Sequence, residues 1–188
     1  MIDDDTFLVL NATHLRKMAT VEHVAQVTEL PDNKVQAILS EALDKGWLME
    51  MQGQHLLVPE GTQVVQDYYK AAFESHRAEP RLVAWYDRFE LLNEQFIKHV
   101  SDWQKSEGEE KAQTRLIRTV ERLVRSLNEI IPQIPRYRGY VTRFERGLSL
   151  IDEGNLAYVC SPTLDSVHNV WFEFHEDILS VIGRPRDT

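Results

Sequence analysis

Apolar positions return every three or four residues along most of this chain, and that period predicts helices. Residues 6–19, Thr6 to Ala19, read as a first helix in which Leu8, Leu15 and Met18 can share one face, with Phe7 and Leu10 near its edges. Thr20 suits an N-cap, and Val21, Val24, Ala25 and Val27 supply a short second helix. After Leu30-Pro31-Asp32, a third helix follows, whose buried stripe is Val35, Ile38, Leu39, Ala42 and Leu43. Pro31 suits its first turn and Gly46 its stop. The period then changes. Trp47 to Met51 and His55 to Val58 flank Gln52-Gly53-Gln54, which predicts a short hairpin turned at a glycine.

Beyond Gly61 every predicted element is helical. Residues 62–78 carry Val64, Val65, Tyr68, Tyr69, Ala72 and Phe73 on an amphipathic helix that Pro80 ends or kinks. Leu82, Trp85, Phe89, Leu92, Phe96, Val100 and Trp103 mark a long second one. A loop at residues 106–110 separates it from a helix over 112–131, with Leu116, Val120, Leu123, Leu127 and Ile130 inward and Pro132 and Pro135 closing it. Another helix is expected over 137–151. Pro162 opens the last, from about Thr163 to Ile182, before Gly183 and Pro185. No internal repeat is visible.

The order helix, tight turn, helix, hairpin over residues 20–61 reads as a winged helix-turn-helix. Its residues Val24-Ala25, Leu30-Pro31, Val35, Leu39, Leu43, Lys45-Gly46-Trp47-Leu48 and Leu57-Val58-Pro59-Glu60-Gly61 resemble the MarR-like branch of winged-helix transcriptional regulators. The resemblance covers about a third of the chain and is one of fold. It implies that Asp32–Asp44 is the recognition helix and that the hairpin is the wing. The family commonly has a basic residue in the wing, whereas Gln52-Gly53-Gln54-His55 has none. The fold class that follows is mainly α, with a winged-helix domain over 1–61 carrying a small hairpin, and a helical bundle over 62–188.

Composition narrows the setting. With 43% hydrophobic and 27% charged residues, 188 residues suit one ordinary domain or two small ones, and the balance is that of a globular chain. No apolar run approaches the roughly 20 residues that span a bilayer. The start Met-Ile-Asp-Asp-Asp has the wrong charge for a signal peptide. A single cysteine, Cys160, excludes an internal disulfide and a thiolate zinc site, so a cytoplasmic setting is expected.

Charge complicates the DNA expectation. The net charge is −9, and residues 1–60 hold ten acids and four bases, a net of −6, leaving 20 acids and 17 bases elsewhere. Affinity for a duplex rests largely on neutralising phosphates. An acidic N-terminal region therefore opposes tight non-specific binding.

Candidate chemistry falls in four places. Asn33, Lys34, Gln36, Ala37 and Ser40 face outward on the third helix, with Gln54 in the wing, and these residue types can read base edges or phosphates. The same face could equally serve a protein contact. Arg115, Arg118, Arg122 and Arg125 follow at steps of three, four and three, a stripe opposite the apolar one, with Arg136, Arg138, Arg143 and Arg146 soon after. This is either a solvated face or a surface for anions or acidic partners.

The third place is the last helix, where His168 and His175 lie two turns apart among Leu164, Trp171, Phe172, Leu179 and Ile182. With His99 and nearby Asp165, Glu173, Glu176 and Asp177, they are either hydrogen-bonded core histidines or candidates for a metal or ligand site. Phe174-His175 through Leu179 and Gly183-Arg184 also resembles the helical effector domains of GntR-type regulators, whose histidines hold a metal. The fourth place, Cys160, could act as a nucleophile only with a histidine against it. No phosphate-cradling glycine loop, Gly-x-Ser-x-Gly or His-Glu-x-x-His occurs, so nothing points to catalysis.

Two functions follow as expectations. The first is a regulator that binds double-stranded DNA through Asp32–Asp44 as a homodimer, with a small-molecule effector pocket lined by Trp85, Phe89, Trp103, His168, Trp171 and His175. The second is an accessory subunit that uses the winged helix for protein contacts. The potential over Asn33–Ser40 discriminates them.

Overall fold

The computed structural model describes residues 1–106 and 108–185. Glu107, within the loop expected at 106–110, lies outside the described residues. The protein is mainly helical, with one two-stranded antiparallel sheet among the described residues. None of their helices is long and apolar enough to cross a membrane.

The chain divides into two compact units, one formed by Met1–Arg77 with the chain from Glu176 onward, the other by Ala78–His175. This division differs from one at residue 61, because 62–77 and the end of the chain group with the N-terminal elements.

The first unit opens with α1 (Asp4–Arg16), whose N-cap Asp3 accepts from the Thr6 amide at 2.9 Å. The helix is shorter than residues 6–19. Ala19 has left it and bridges to His55 in the sheet. Phe7, Val9, Leu10 and Leu15 form the buried face, while Met18 is 39% exposed, so the inner face is rotated from the Leu8, Leu15, Met18 alignment. α2 (Val21–Thr28) is capped by the Thr20 hydroxyl, which accepts from the His23 amide at 3.2 Å. Glu29 adopts a left-handed conformation (φ 59°) and turns the chain into α3 (Asp32–Asp44). Pro31 precedes that helix rather than occupying its first turn.

α3 buries Val35, Leu39 and Ala42 beside α1, α2 and the first strand. Gly46 (φ 69°) then ends the helix region and leads into β1 (Leu48–Met51), paired antiparallel with β2 (Gln54–Leu57). Gln52 (φ 55°) and Gly53 (φ 77°) make a two-residue turn of the left-handed kind that matches strand twist.

α4 (Pro59–Ala72) starts at residue 59, and the helix expected to 78 breaks at Phe73 before the short α5 (Glu74–Arg77). The third residue of α4 meets the polypeptide so closely that a Cβ on Gly61 would stand 2.1 Å from the Trp47 carbonyl oxygen. A buried polar chain completes this unit. The Tyr69 hydroxyl donates to Asn11 Oδ1 at 2.9 Å, and Asn11 Nδ2 donates to Asp177 Oδ2 at 3.5 Å. Arg77 donates to the Val181 and Ser180 carbonyls, each at 3.4 Å.

The second unit is built on α6 (Pro80–Lys105) and α7 (Glu110–Leu127). Their cross-links run antiparallel: the Trp85 indole donates to the Ser126 carbonyl at 2.9 Å, Arg122 donates to Gln95 at 2.8 Å, and His99 meets Thr119 at 2.9 Å. Leu116, Val120, Leu123 and Leu127 are fully buried, as their spacing predicts. After Leu127 the chain continues in turns and a 3-10 segment, Pro135–Tyr137, to α8 (Arg138–Asp152) and the short α9 (Ala157–Cys160).

α10 (Val167–Ile182) starts four residues later than the position expected from Pro162. The hydroxyl of Ser166 accepts from the Asn169 amide at 3.3 Å, and Pro162 to Asp165 form a turn that Asn169 ties down through the Ser161, Pro162 and Leu164 carbonyls. The cap outcompetes the proline as a start signal. At Gly147, α8 approaches α10 so closely that a Cβ would lie 2.9 Å from Val167 Cγ1.

Candidate functional site

The outward face of α3 follows from which of its residues are apolar. Val35, Leu39 and Ala42 are buried, so Asn33, Lys34, Gln36, Ala37 and Ser40, one helical face away, are all exposed. Their cations are engaged. Lys34 forms an ion pair with Asp5 of α1, and Lys45, just past the helix end, pairs with Glu41 at 2.6 Å while lying 4.6 Å from the centre of the Trp47 ring. No other lysine or arginine occurs between Pro31 and Val58. With Asp32, Glu41 and Asp44 on the same helix, acids outnumber bases on this surface and each lysine already has an acidic partner.

The hairpin departs further from a phosphate-binding surface. Met49 pairs with Leu56 and Met51 with Gln54, so these four share one face of the ribbon. Met49 is 48% and Met51 52% exposed, and Gln54 is half-buried. The opposite face turns inward through Leu48 and His55, and neither ring nitrogen of the buried His55 has a hydrogen-bond partner among the described residues. An outward strand face of methionines suits apolar contact, since the flexible, polarisable side chain adapts to many partners.

In the second unit, five of the six residues expected to line a ligand pocket come together. Trp85 stacks on Phe89 (5.6 Å between ring centres), Phe89 on Trp171 (5.8 Å), and Trp171 on Phe96 (3.9 Å). His168 stacks on Phe96 at 6.3 Å and His175 meets the Phe89 edge at 5.4 Å. Trp85, Phe89 and Trp171 are at most 2% exposed, and the polar edge of Trp171 donates to Asn93 at 2.8 Å. These rings fill the interior with each other. Trp103 stands apart, half-buried near Gly108, and its indole N–H has no partner among the described residues.

The histidines do not gather. Among the described residues, no three His, Cys, Asp or Glu side chains are grouped as metal ligands, so His99, His168 and His175 form no such set. His99 is instead hydrogen-bonded to Thr119. Burial holds both His99 and His168 below the ordinary histidine value, with the positive charge of Arg115 adding to the effect at His99. Cys160 has the Gln104 amide at 3.8 Å from its sulfur.

The charged feature that periodicity did not single out is Arg143. Read among surface arginines, it is only 10% exposed along its side chain, and it takes the two carboxylates considered beside the histidines. Its Nη2 donates to Asp165 and Glu173, each at 2.5 Å, and its Nε to Asp165 at 3.1 Å. Burial works against its charge, but Glu173 and Asp165 outweigh that and raise the guanidinium pKa. The available signal was spacing: Arg143 lies between Tyr140, Phe144 and Gly147 on the inward face of α8.

The α7 stripe contrasts with it. Arg115, Arg118, Arg122 and Arg125 are all exposed, and among the described residues only Arg122 has a hydrogen-bond partner, Gln95. No family model, curated protein or solved structure matches the chain.

Proposed function

We propose that residues 20–61 form a winged helix-turn-helix of MarR-like type that serves as a protein-contact module, making the chain an accessory or regulatory subunit. The order α2, turn, α3 and hairpin, with the Ala19–His55 bridge as a third short strand position, supports the motif. The observation that carries the function is the recognition surface itself: both of its lysines are spent on Asp5 and Glu41, while the hairpin presents Met49 and Met51. Duplex affinity needs cations that are free to displace counterions. A wing that exposes Met49 and Met51, and whose charged residue is the acidic Glu50, suits a partner surface that buries the methionines rather than a phosphate backbone.

The second reading, a homodimeric DNA-binding regulator, draws on one observation. Asn33, Gln36 and Ser40 are exposed on the outward face of α3, and these side chains can pair with base edges. A salt-series titration of the full chain against double-stranded DNA from its own locus separates the two. The protein-contact reading expects no binding even at about 50 mM salt, where phosphate attraction is strong. Binding whose affinity falls with rising salt overturns it and installs the regulator.

A further inference from the structure

A groove of about 780 Å³ opens on the first unit, bounded by the start of α1, the end of α3, Trp47 and one face of α4. Its volume is that of a small-molecule site. It meets α3 at Glu41 and Lys45, which it shares with the end of the recognition helix region. We infer that this groove binds a small amphipathic organic cation, an aromatic or aliphatic group bearing an ammonium.

The floor follows from helical spacing. Val64, Asp67, Tyr68 and Ala71 lie at steps of three, one and three along α4, which places them on a single stripe. Tyr68 is fixed there from behind, stacked 3.9 Å on Phe7, with its hydroxyl donating to Asp4 at 2.7 Å. Trp47 forms the facing wall. The two aromatic rings give the groove an apolar, polarisable lining.

Charge selects the ligand. The lining holds Asp3, Glu41 and Asp67 against Lys45 and the Met1 ammonium, three acids to two cations. Lys45 is already neutralised by Glu41. Asp3 is occupied as a helix cap, and Asp67 accepts only the neutral Gln63 amide at 2.8 Å, so neither carboxylate has a cationic partner. An anion entering here meets uncompensated negative charge, whereas a cation relieves it. The groove also displays the preference within itself: the Lys45 ammonium rests over the Trp47 ring. A ligand ammonium meets Asp67 and Asp3 in a lining that also holds Tyr68 and Trp47, a combination that favours organic cations.

The test compares two probes of equal ring and chain length, 2-phenylethylammonium and 3-phenylpropionate, by calorimetric titration of the full chain. The amine should bind and the acid should bind at least about tenfold more weakly, the value of losing one favourable charge contact. Asp67→Asn should weaken the amine several-fold. Ala71→Trp should abolish amine binding by filling the floor, and because Ala71 is exposed it leaves the core and the circular dichroism unchanged. Equal affinity for the two probes, an amine that does not bind at millimolar concentration, or amine affinity unaltered by Ala71→Trp each overturns the assignment.

Discussion

Both units hold ion pairs at the surface, Arg88 with Glu129 in the second being 58% and 57% exposed, and the second unit buries the network around Arg143. In the first, ion pairs lie at the surface: Lys34 and Asp5 are 46% and 39% exposed, and Lys45 with Glu41 is equally open. In the second, Arg143, Asp165 and Glu173 are 10%, 10% and 6% exposed. An exposed pair contributes little to stability because water competes for both charges, while a buried pair is costly to break once made. The pairs of the first unit therefore act on what can bind there, by cancelling cations. The buried network of the second acts on whether that unit holds together. Exposure of a charged residue is thus not the same as availability of its charge.

Replacing Arg143 is the sharpest way to break this contrast. Arg143→Met removes the buried guanidinium that Asp165 and Glu173 share, and should destabilise the second unit by about 3–5 kcal/mol. Denaturant unfolding would measure it, and a loss below about 1 kcal/mol would place this network with the surface pairs. Gly61→Ala probes whether the first unit is secured by backbone fit instead of charge. Its methyl meets the Trp47 carbonyl, so a shift is forced, and overpacking of this kind costs about 1–3 kcal/mol. An unchanged melting temperature would show that α4 can move freely there.

Acidification sharpens the comparison from another side. Burial lowers the pKa of His14 in the first unit and of His99 and His168 in the second below the ordinary histidine value of 6.5. Below that value the unfolded chain takes up protons that the folded chain resists, so stability falls as pH falls. Thermal unfolding between about pH 7.5 and 5.5 should show the midpoint dropping, with no such slope above neutrality. A midpoint that rises on acidification contradicts the burial of these rings. The smallest effect belongs to Lys34→Ala, which should change stability by less than about 1 kcal/mol because its pair with Asp5 is open to water. A larger loss would mean that this surface pair is structural, and the contrast would narrow.

Much of the fold was legible from residue spacing. Val35, Leu39 and Ala42 in α3, and Leu116, Val120, Leu123 and Leu127 in α7, turn inward where a helical period places them, and the four arginines of α7 turn outward. Thr20 caps α2 through the hydroxyl that marked it. Boundaries were less legible where two local signals compete, as with Pro162 and Ser166 before α10. The α3 surface was legible as exposed, yet its neutralisation was not, because Asp5 and Lys34 are separated by 29 residues and only tertiary packing brings them together. The same holds for Arg143, whose partners follow it by 22 and 30 residues. For the rings of Trp85, Phe89 and Trp171, sequence gave their convergence but not their mutual filling of space, which depends on ring orientation.

The contact between Asn11 and Asp177 spans 166 residues of sequence, and the carbonyls that receive Arg77 lie beyond it, at 180 and 181. During synthesis the opening helices therefore wait for these partners until residues 177–181 have emerged. A fragment cut after the hairpin inherits the recognition surface without the side chain that receives the Asn11 amide, so a faithful stand-in for this unit has to carry residues 177–181 as well.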